Sequence, residues 1–275
     1  MTNRTRNTAP VLVIGATGKT GRRVAERLHG LGLTVRPGSR RSGVPFVWED
    51  ESTWGAALSG AGAAYVTYYP DLGFPGAREA VGRFAEVAVE HGVRRLVLLS
   101  GRGEEGAVAA EDALKASGCA WTVVRASWFD QNFSESFFLD PVRAGELALP
   151  TGDAVEPFVD ADDIADVVVA ALTDDRHVGR TYELSGPRLL SFTDIARELS
   201  AATGRTITYT PVSADDYRAA LREAGEPEEF ADLFTLIVDG RNARPVHGVR
   251  EALGREPRDF TDYAVKTAAT GVWDD

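Results

Sequence analysis

The run VLVIGATGKTG near the start of the chain constrains the fold more than any other feature. Val11 to Ile14 is an all-apolar run of the kind presented by a strand buried on both faces. Gly15, Gly18 and Gly21 follow at once, and Val24, Ala25 and Leu28 then recur at helical spacing. Glycines between a strand and a helix permit a tight turn, let the backbone approach a ligand and let the helix pack on the strand. The helix start adds amide donors and the positive end of its dipole. The segment therefore reads as the pyrophosphate loop of a dinucleotide site. The letters GKT also invite a triphosphatase phosphate loop, but that motif needs a glycine five positions before Gly18, where Val13 stands.

The unit recurs along the chain. Strands are expected at 33–36, 46–48, 63–68, 94–99, 121–124 and 180–184, and helices at 54–58, 77–91, 105–116 and 160–172. Apolar runs without alternation, separated by helices, predict an α/β fold with a doubly wound parallel sheet. After Val124 the rhythm gives way to aromatic and proline-containing segments. Residues 187–275 then carry mostly helical patterns (193–203, 214–225, 228–239, 259–270) with one strand at 207–211. A length of 275 residues exceeds one bare nucleotide domain. The expected division is a nucleotide-binding domain of 10–125 with 158–186, and a smaller, mostly helical substrate lobe of 126–157 with 187–275.

A net charge of -11 argues against a general nucleic-acid or anionic-membrane binder. No apolar stretch approaches the ~18 residues of a membrane span. Cys119, the single cysteine, excludes an internal disulfide and a cysteine-based metal site, and His29, His91, His177 and His247 lack ligand spacing. No metal is expected. A single cysteine fits a reducing cytoplasm, and a monomer or homodimer is expected.

Charge also argues for the form of the dinucleotide. An NAD site places an acid about 20 residues after the loop, whereas a 2'-phosphate calls for arginine. Between Gly18 and Gly43 seven bases (Lys19, Arg22, Arg23, Arg27, Arg36, Arg40, Arg41) face one acid, Glu26. NADPH is favoured over NADH, with Ser39, Arg40 and Arg41 as phosphate ligands. Asp50 after the third strand, Thr67, Tyr68 and Tyr69 after the fourth and Ser100 after the fifth fall at strand carboxyl ends, where ligands of open α/β sheets bind.

VLVIGATGKTG, YVTYYP, LVLLSG, KASGCAWTVVRASWFDQNF and PFVDADDIADVV together resemble the NmrA-like atypical short-chain dehydrogenases. The GKT loop, WEDESTW and HGVREALGREPRDFTDY are most similar to its ergot-alkaloid, festuclavine-dehydrogenase-like branch. The resemblance implies a Rossmann domain with a smaller C-terminal lobe, in a family of reductases, quinone oxidoreductases and catalytically silent redox sensors. It implies that the loop glycines, Thr17, Lys19, Thr20, Arg40, Asp50, Tyr68 and Ser100 carry the cofactor. Arg125, Trp128, Phe129, Asn132 and Phe133 would frame the substrate.

One departure matters. Ordinary short-chain dehydrogenases place a lysine four residues after a catalytic tyrosine to lower its pKa. None of the seven tyrosines, Tyr65, Tyr68, Tyr69, Tyr182, Tyr209, Tyr217 and Tyr263, is followed by lysine at that spacing. A reaction with little demand for a strong acid is expected. A quinone leaves a phenolate-like oxygen of pKa about 10, and an iminium leaves a neutral amine. Hydrogen bonding from Ser100, Tyr68, Tyr69 or Asn132 would suffice. Six aromatics between Trp121 and Phe138, then Phe158, suit a planar polycycle. These readings converge on an NADPH-dependent reductase of a fused-ring quinone or related aromatic polyketide in antibiotic-type tailoring, which could supply a hydroquinone to an oxygenating step. The alternatives are a non-catalytic NADP(H)-sensing regulator and an iminium reductase.

Overall fold

The computed structural model describes residues 9–225, 228, 231, 232, 234 and 238–274. In chain order the elements are β1 (Val11–Ile14), α1 (Lys19–Gly30), β2 (Val35–Gly38), α2 (Trp54–Leu58), β3 (Ala63–Val66), α3 (Ala77–Glu90), β4 (Arg95–Gly101), α4 (Glu105–Ala116) and β5 (Ala120–Ala126). There follow α5 (Asn132–Glu135), α6 (Leu139–Ala144), β6 (Glu146–Leu149), β7 (Val155–Glu156), α7 (Ala161–Thr173) and β8 (Arg180–Leu184). Then come β9 (Leu190–Ser191), α8 (Phe192–Thr203), β10 (Thr208–Pro211), α9 (Ala214–Ala224) and the helices Gly248–Leu253 and Phe260–Ala268. The helix expected at 228–239 falls largely on residues outside the described ones.

The chain divides into two units. The first, residues 1–126, 161–183 and 248–255, is built on a six-stranded parallel sheet of order β2-β1-β3-β4-β5-β8. The pairings Val11↔Val35, Val11↔Ala63, Ala63↔Arg95 and Arg95↔Ala120 keep the strand ends level. Strand order reverses between β1 and β3, the switch point at which α/β sheets bind ligands. Helices α1 and α7 pack together, as do α3 and α4. β1 and β3 are buried at every residue, as their unbroken apolar sequences require.

The expected strand at 46–48 does not form. Only Ser39 and Pro45 pair, in a single bridge. Proline has no amide proton to continue a ladder, and the side chains that follow gain more by clustering. Phe46, Trp48, Trp54 and Phe84 pack ring to ring at centroid separations of 5.1–6.3 Å. Residues 248–255, read from sequence as part of the lobe, sit in the first unit. Gly248 runs so close to the Glu183 carbonyl that a Cβ would lie 2.1 Å from it, and Arg255 pairs with buried Asp163 at 2.7 Å.

The second unit, residues 127–160, 184–247 and 256–275, pairs β10 with β6 in parallel and β7 with β9 antiparallel. Its core is aromatic: Phe133, Phe138, Phe158, Phe192, Phe260 and Trp273 are all buried. Fully burying such a side chain stabilises by roughly 1.5–3 kcal/mol, so a few rings supply much of the cohesion of this unit.

Candidate active site

The loop of the first unit is shaped by close backbone approaches. Gly15 has φ +69°, a left-handed conformation that favours glycine, and a Cβ there would meet Thr67 Oγ1 at 2.7 Å. A Cβ on Gly21 would lie 2.1 Å from the Gly15 carbonyl oxygen. The Gly18 amide donates to that same oxygen at 2.8 Å, closing the turn. Helix α1 starts on Gly18, which has no side chain to cap it, and its first turn carries no acid. Thr17 is exposed, and Lys19 is half-buried at the first helical position. These are the properties of a helix start that receives an anion, and they fit a pyrophosphate. Thr20 faces inward: its Oγ1 accepts a hydrogen bond from the buried Tyr65 hydroxyl at 2.9 Å, which ties α1 to β3.

The basic segment divides by function. Arg36 donates to the carbonyls of Ala57 and Ser59. Arg23 and Arg27 pair with Asp162, and Arg27 also with Asp166, on α7. Asp162, a helix-start acid by its sequence position, and Asp166 one turn on are counterions for α1. Arg40 and Arg41, just past β2, are exposed and make no hydrogen bond or ion pair among the described residues. Ser39 lies beside them, its carbonyl accepting from Ser42 Oγ and the Phe46 amide. Asp50 caps the turn Glu51–Thr53, accepting at Oδ1 from the Ser52 amide and hydroxyl.

Thr67 and Tyr68 leave the sheet after β3. Thr67 Oγ1 donates to the Ile14 carbonyl, and Trp48 Nε1 donates to the Thr67 carbonyl, joining β1, β3 and the aromatic cluster. Tyr68 is half-buried against Trp48, with ring centroids 5.0 Å apart. Burial, then the charges of Glu49 and Glu79, hold its phenol above the ordinary value. That shift is opposite to the one a catalytic lysine would impose. Tyr69 is 72% exposed.

Ser100, at the end of β4, is buried and donates its hydroxyl proton to Glu111 Oε1 at 2.7 Å. Glu111, on α4, is 0% exposed. Arg125, on β5, grips it with Nε on Oε1 and Nη2 on Oε2, both at 2.7 Å, and sends Nη1 to Glu183 at 3.3 Å. Lys115 reaches Oε2 at 3.3 Å. A bidentate guanidinium with a second cation offsets the several kcal/mol needed to bury a carboxylate. The hydrogen bond to Glu111 is also the first cause that keeps Arg125 firmly protonated.

In the second unit, Phe133 and Phe158 are core residues, stacked or tilted against Phe138, Phe192 and Phe260. Trp128 is half-buried and stacks on Phe138 at 6.0 Å. Its indole N–H is buried and meets no acceptor among the described residues. Phe129 is half-buried and bridges to Val159, and Asn132 begins α5. Much of the aromatic density read from the sequence is therefore internal packing. Among the described residues no cluster of histidine, cysteine or carboxylate is arranged to hold a metal, and no helix is long and apolar enough to cross a membrane.

Two family models match, an NAD(P)H-binding family over residues 15–175, from the first loop glycine onward, and the NmrA-like family over residues 108–264. The chain is a member of the NmrA-like family. It is 31% identical to festuclavine dehydrogenase of Aspergillus fumigatus over 94% of this chain and 98% of that one. It is 34% identical to (4-alkanoyl-5-oxo-2,5-dihydrofuran-3-yl)methyl phosphate reductase of Streptomyces griseus, with 94% and 98% covered. The fold is shared with an NADPH-dependent quinone oxidoreductase of Escherichia coli solved with NADPH, at TM-score 0.74 and 20% identity over 93% of this chain and 99% of that one.

Glu111, which holds the Ser100 hydroxyl, is a residue that the sequence reading leaves out. Its spacing to Lys115 is that of a solvent-exposed Glu-Lys helix pair. The signal that separates Glu111 from that reading is its face: Ala107, Ala110, Glu111 and Leu114 form one buried stripe of α4. An acid on an apolar stripe requires a cation from a neighbouring element, and Arg125 supplies it.

Proposed function

We propose that this NmrA-like chain is an NADPH-dependent reductase that delivers hydride to a planar polycyclic quinone or a related aromatic natural product. One observation carries the reading. Two uncommitted arginines, Arg40 and Arg41, stand past β2 in the unit that holds the glycine cradle, in a chain with no tyrosine-lysine dyad. In this reading Gly15, Thr17, Gly18, Lys19 and Gly21 hold the pyrophosphate at the start of α1, with Thr20 fixing the loop to Tyr65. Ser39, Arg40 and Arg41 take the 2'-phosphate. Asp50 and Thr67 border the adenosine and nicotinamide halves.

When bound, the reduced nicotinamide supplies the hydride. What the chain contributes is orientation, worth up to several kcal/mol when reacting atoms are held in line. Tyr68 gives an apolar face but not an activated acid. An acceptor whose oxygen is content as a phenolate suits such a site. The names of the relatives, which include dehydrogenases and reductases acting on ring systems, support this class of reaction.

The test is NADPH consumption with naphthoquinone and anthraquinone acceptors, an iminium salt and a simple ketone. Turnover with the quinones, none with the ketone, and abolition by Gly18→Asp is the expected result. Cofactor binding without consumption by any acceptor would replace this reading with a sensing regulator, and turnover of the iminium alone with an iminium reductase.

A further inference from the structure

Ser100 has one proton, and the structure commits it. The register pairs Ser100 with Arg125, which puts both side chains on one face of the sheet, and Glu111 meets them there from α4. Arginine and lysine only donate, so Arg125 Nε, Arg125 Nη2 and Lys115 Nζ all give protons to the Glu111 carboxylate. Held between two cations, that carboxylate accepts only, and the proton between Ser100 Oγ and Oε1 is the serine's own. The two parallel guanidinium bonds fix the plane of the carboxylate, and with it the direction of the serine hydroxyl. What remains on Ser100 Oγ is its lone-pair side. No donor among the described residues reaches it, although the residue is only 5% exposed. Acceptor capacity left unmet on a buried group calls for a partner.

The strand order assigns Ser100 to one half of a dinucleotide. Arg40 and Arg41 follow β2, on one side of β1 and its glycine loop, whereas Ser100 lies near the end of β4, two strands from β1 on the other side. At about 4.8 Å per strand the separation from β1 is roughly 10 Å. With the 2'-phosphate past β2 and the pyrophosphate at the start of α1, the nicotinamide riboside half runs over β3 towards β4. We propose that Ser100 is a hydrogen-bond acceptor for that half of NADP(H), taking an N–H of its carboxamide or an O–H of its ribose, and that Glu111 is the positioning residue that gives Ser100 this polarity. The proposal rests on the cofactor placement of the reductase reading, not on the acceptor or the reaction. It reverses the role expected of Ser100 from the sequence, because a proton already given to Glu111 is not available to the oxygen of a reduced substrate. The fully buried Glu111 thereby acts on the cofactor through Ser100, besides joining β4, α4 and β5.

Calorimetric titrations test this with three ligands: NADP+, its 3-acetylpyridine analogue, in which a methyl group replaces the carboxamide nitrogen, and 2',5'-ADP, which lacks the nicotinamide and its ribose. Ser100→Ala should weaken NADP+ binding by about 2- to 10-fold, the scale of one hydrogen bond, and leave 2',5'-ADP unchanged. With the carboxamide as donor, the wild type binds the acetylpyridine analogue more weakly than NADP+ and Ser100→Ala removes the difference. With a ribose hydroxyl as donor, Ser100→Ala weakens both alike. Replacing Glu111 and Arg125 together by methionine removes both charges of the buried pair and lets the serine hydroxyl turn. In that background Ser100→Ala should cost NADP+ binding a smaller fold-loss than in the wild type, and an equal loss overturns the role of Glu111. Unchanged NADP+ affinity in Ser100→Ala, or an equal loss for 2',5'-ADP, overturns the proposal. Ser100→Ala keeps every ion pair of Glu111, so this arm decides even where the methionine pair folds poorly. A wild type that binds 2',5'-ADP no better than 5'-AMP instead sinks the placement of the 2'-phosphate, and Ser100 loses its assigned half of the cofactor with it.

Discussion

Gly21→Ala isolates the geometry of the loop from its chemistry. The added methyl would sit 2.1 Å from the Gly15 carbonyl oxygen, where real contacts do not fall below 3.0 Å, so the loop must open by about 1 Å. Alanine in place of glycine inside a helix is worth about 1 kcal/mol in favour of the variant. Forcing apart a packed contact costs roughly 1–3 kcal/mol. The net effect on folding is therefore small, between neutral and about 2 kcal/mol of destabilisation. Binding suffers more. Each charge-assisted hydrogen bond to a phosphate contributes about 1.5–3 kcal/mol, and loss of two weakens NADPH binding by about 100-fold to 10,000-fold. Calorimetric titration of NADPH, with a melting curve of the same samples, separates the two effects. Gly30→Ala, in the same helix with nothing within 4 Å of its Cβ, is the control and should bind as wild type. Wild-type NADPH affinity in Gly21→Ala, or equal loss in Gly30→Ala, would refute the reasoning.

Further outcomes follow from the same geometry. Replacing Arg40 and Arg41 together by alanine should weaken NADPH binding by about 10- to 100-fold while NADH binding changes little, because a 2'-phosphate loses its charge-assisted partners; parallel titrations with both cofactors check this. Arg125→Met should destabilise by roughly 3 kcal/mol in urea unfolding, since a fully buried carboxylate loses its bidentate partner and keeps only the partly exposed Lys115 as a cation, with the Ser100 hydroxyl. Trp128→Phe removes a buried N–H that meets no acceptor among the described residues and should leave the melting temperature unchanged or raised. His177, buried and beside Arg176, is held below its ordinary value of 6.5, first by burial. Its neutral form is the one the fold prefers, so its contribution is complete above about pH 6.5 and is lost as pH falls through the lower folded-state value. Melting curves taken between neutral and acidic pH should flatten in His177→Asn.

What the sequence made legible was local. The strand, glycine turn and helix at the start rest on neighbouring residues and form as read, and so does the α/β alternation through β5, apart from the segment 46–48 and a second strand found at 35–38 rather than 33–36. The failures lie where tertiary partners decide. Phe46 and Trp48 carry strand-forming side chains, but a ring cluster with Trp54 and Phe84 claims them after Pro45 ends the pairing. The excess of bases between Gly18 and Gly43 argued for a 2'-phosphate as a local net charge. Arg23, Arg27 and Arg36 prove to be engaged by α7 and by carbonyls after α2, which narrows the phosphate-binding candidates to Arg40 and Arg41 with their neighbours. The aromatics after Val124 looked like a pocket wall, whereas Phe133, Phe138 and Phe158 fill the core of the second unit. Glu111 was invisible because a charge on an apolar helix face has meaning only once Arg125, from another element, stands opposite it.

Hydride transfer from NADPH to a planar acceptor, the function proposed above, is open to direct measurement. The most direct measurement is a single turnover of the NADPH-loaded protein mixed with a fused-ring quinone, followed by the near-ultraviolet absorbance of the reduced nicotinamide, with protiated and with 4,4-dideuterated cofactor. The expected result is a first-order loss of that absorbance that slows with the deuterated cofactor and disappears in Gly18→Asp. An absorbance that stays constant while NADPH remains bound, or a decay indifferent to deuterium, would contradict it.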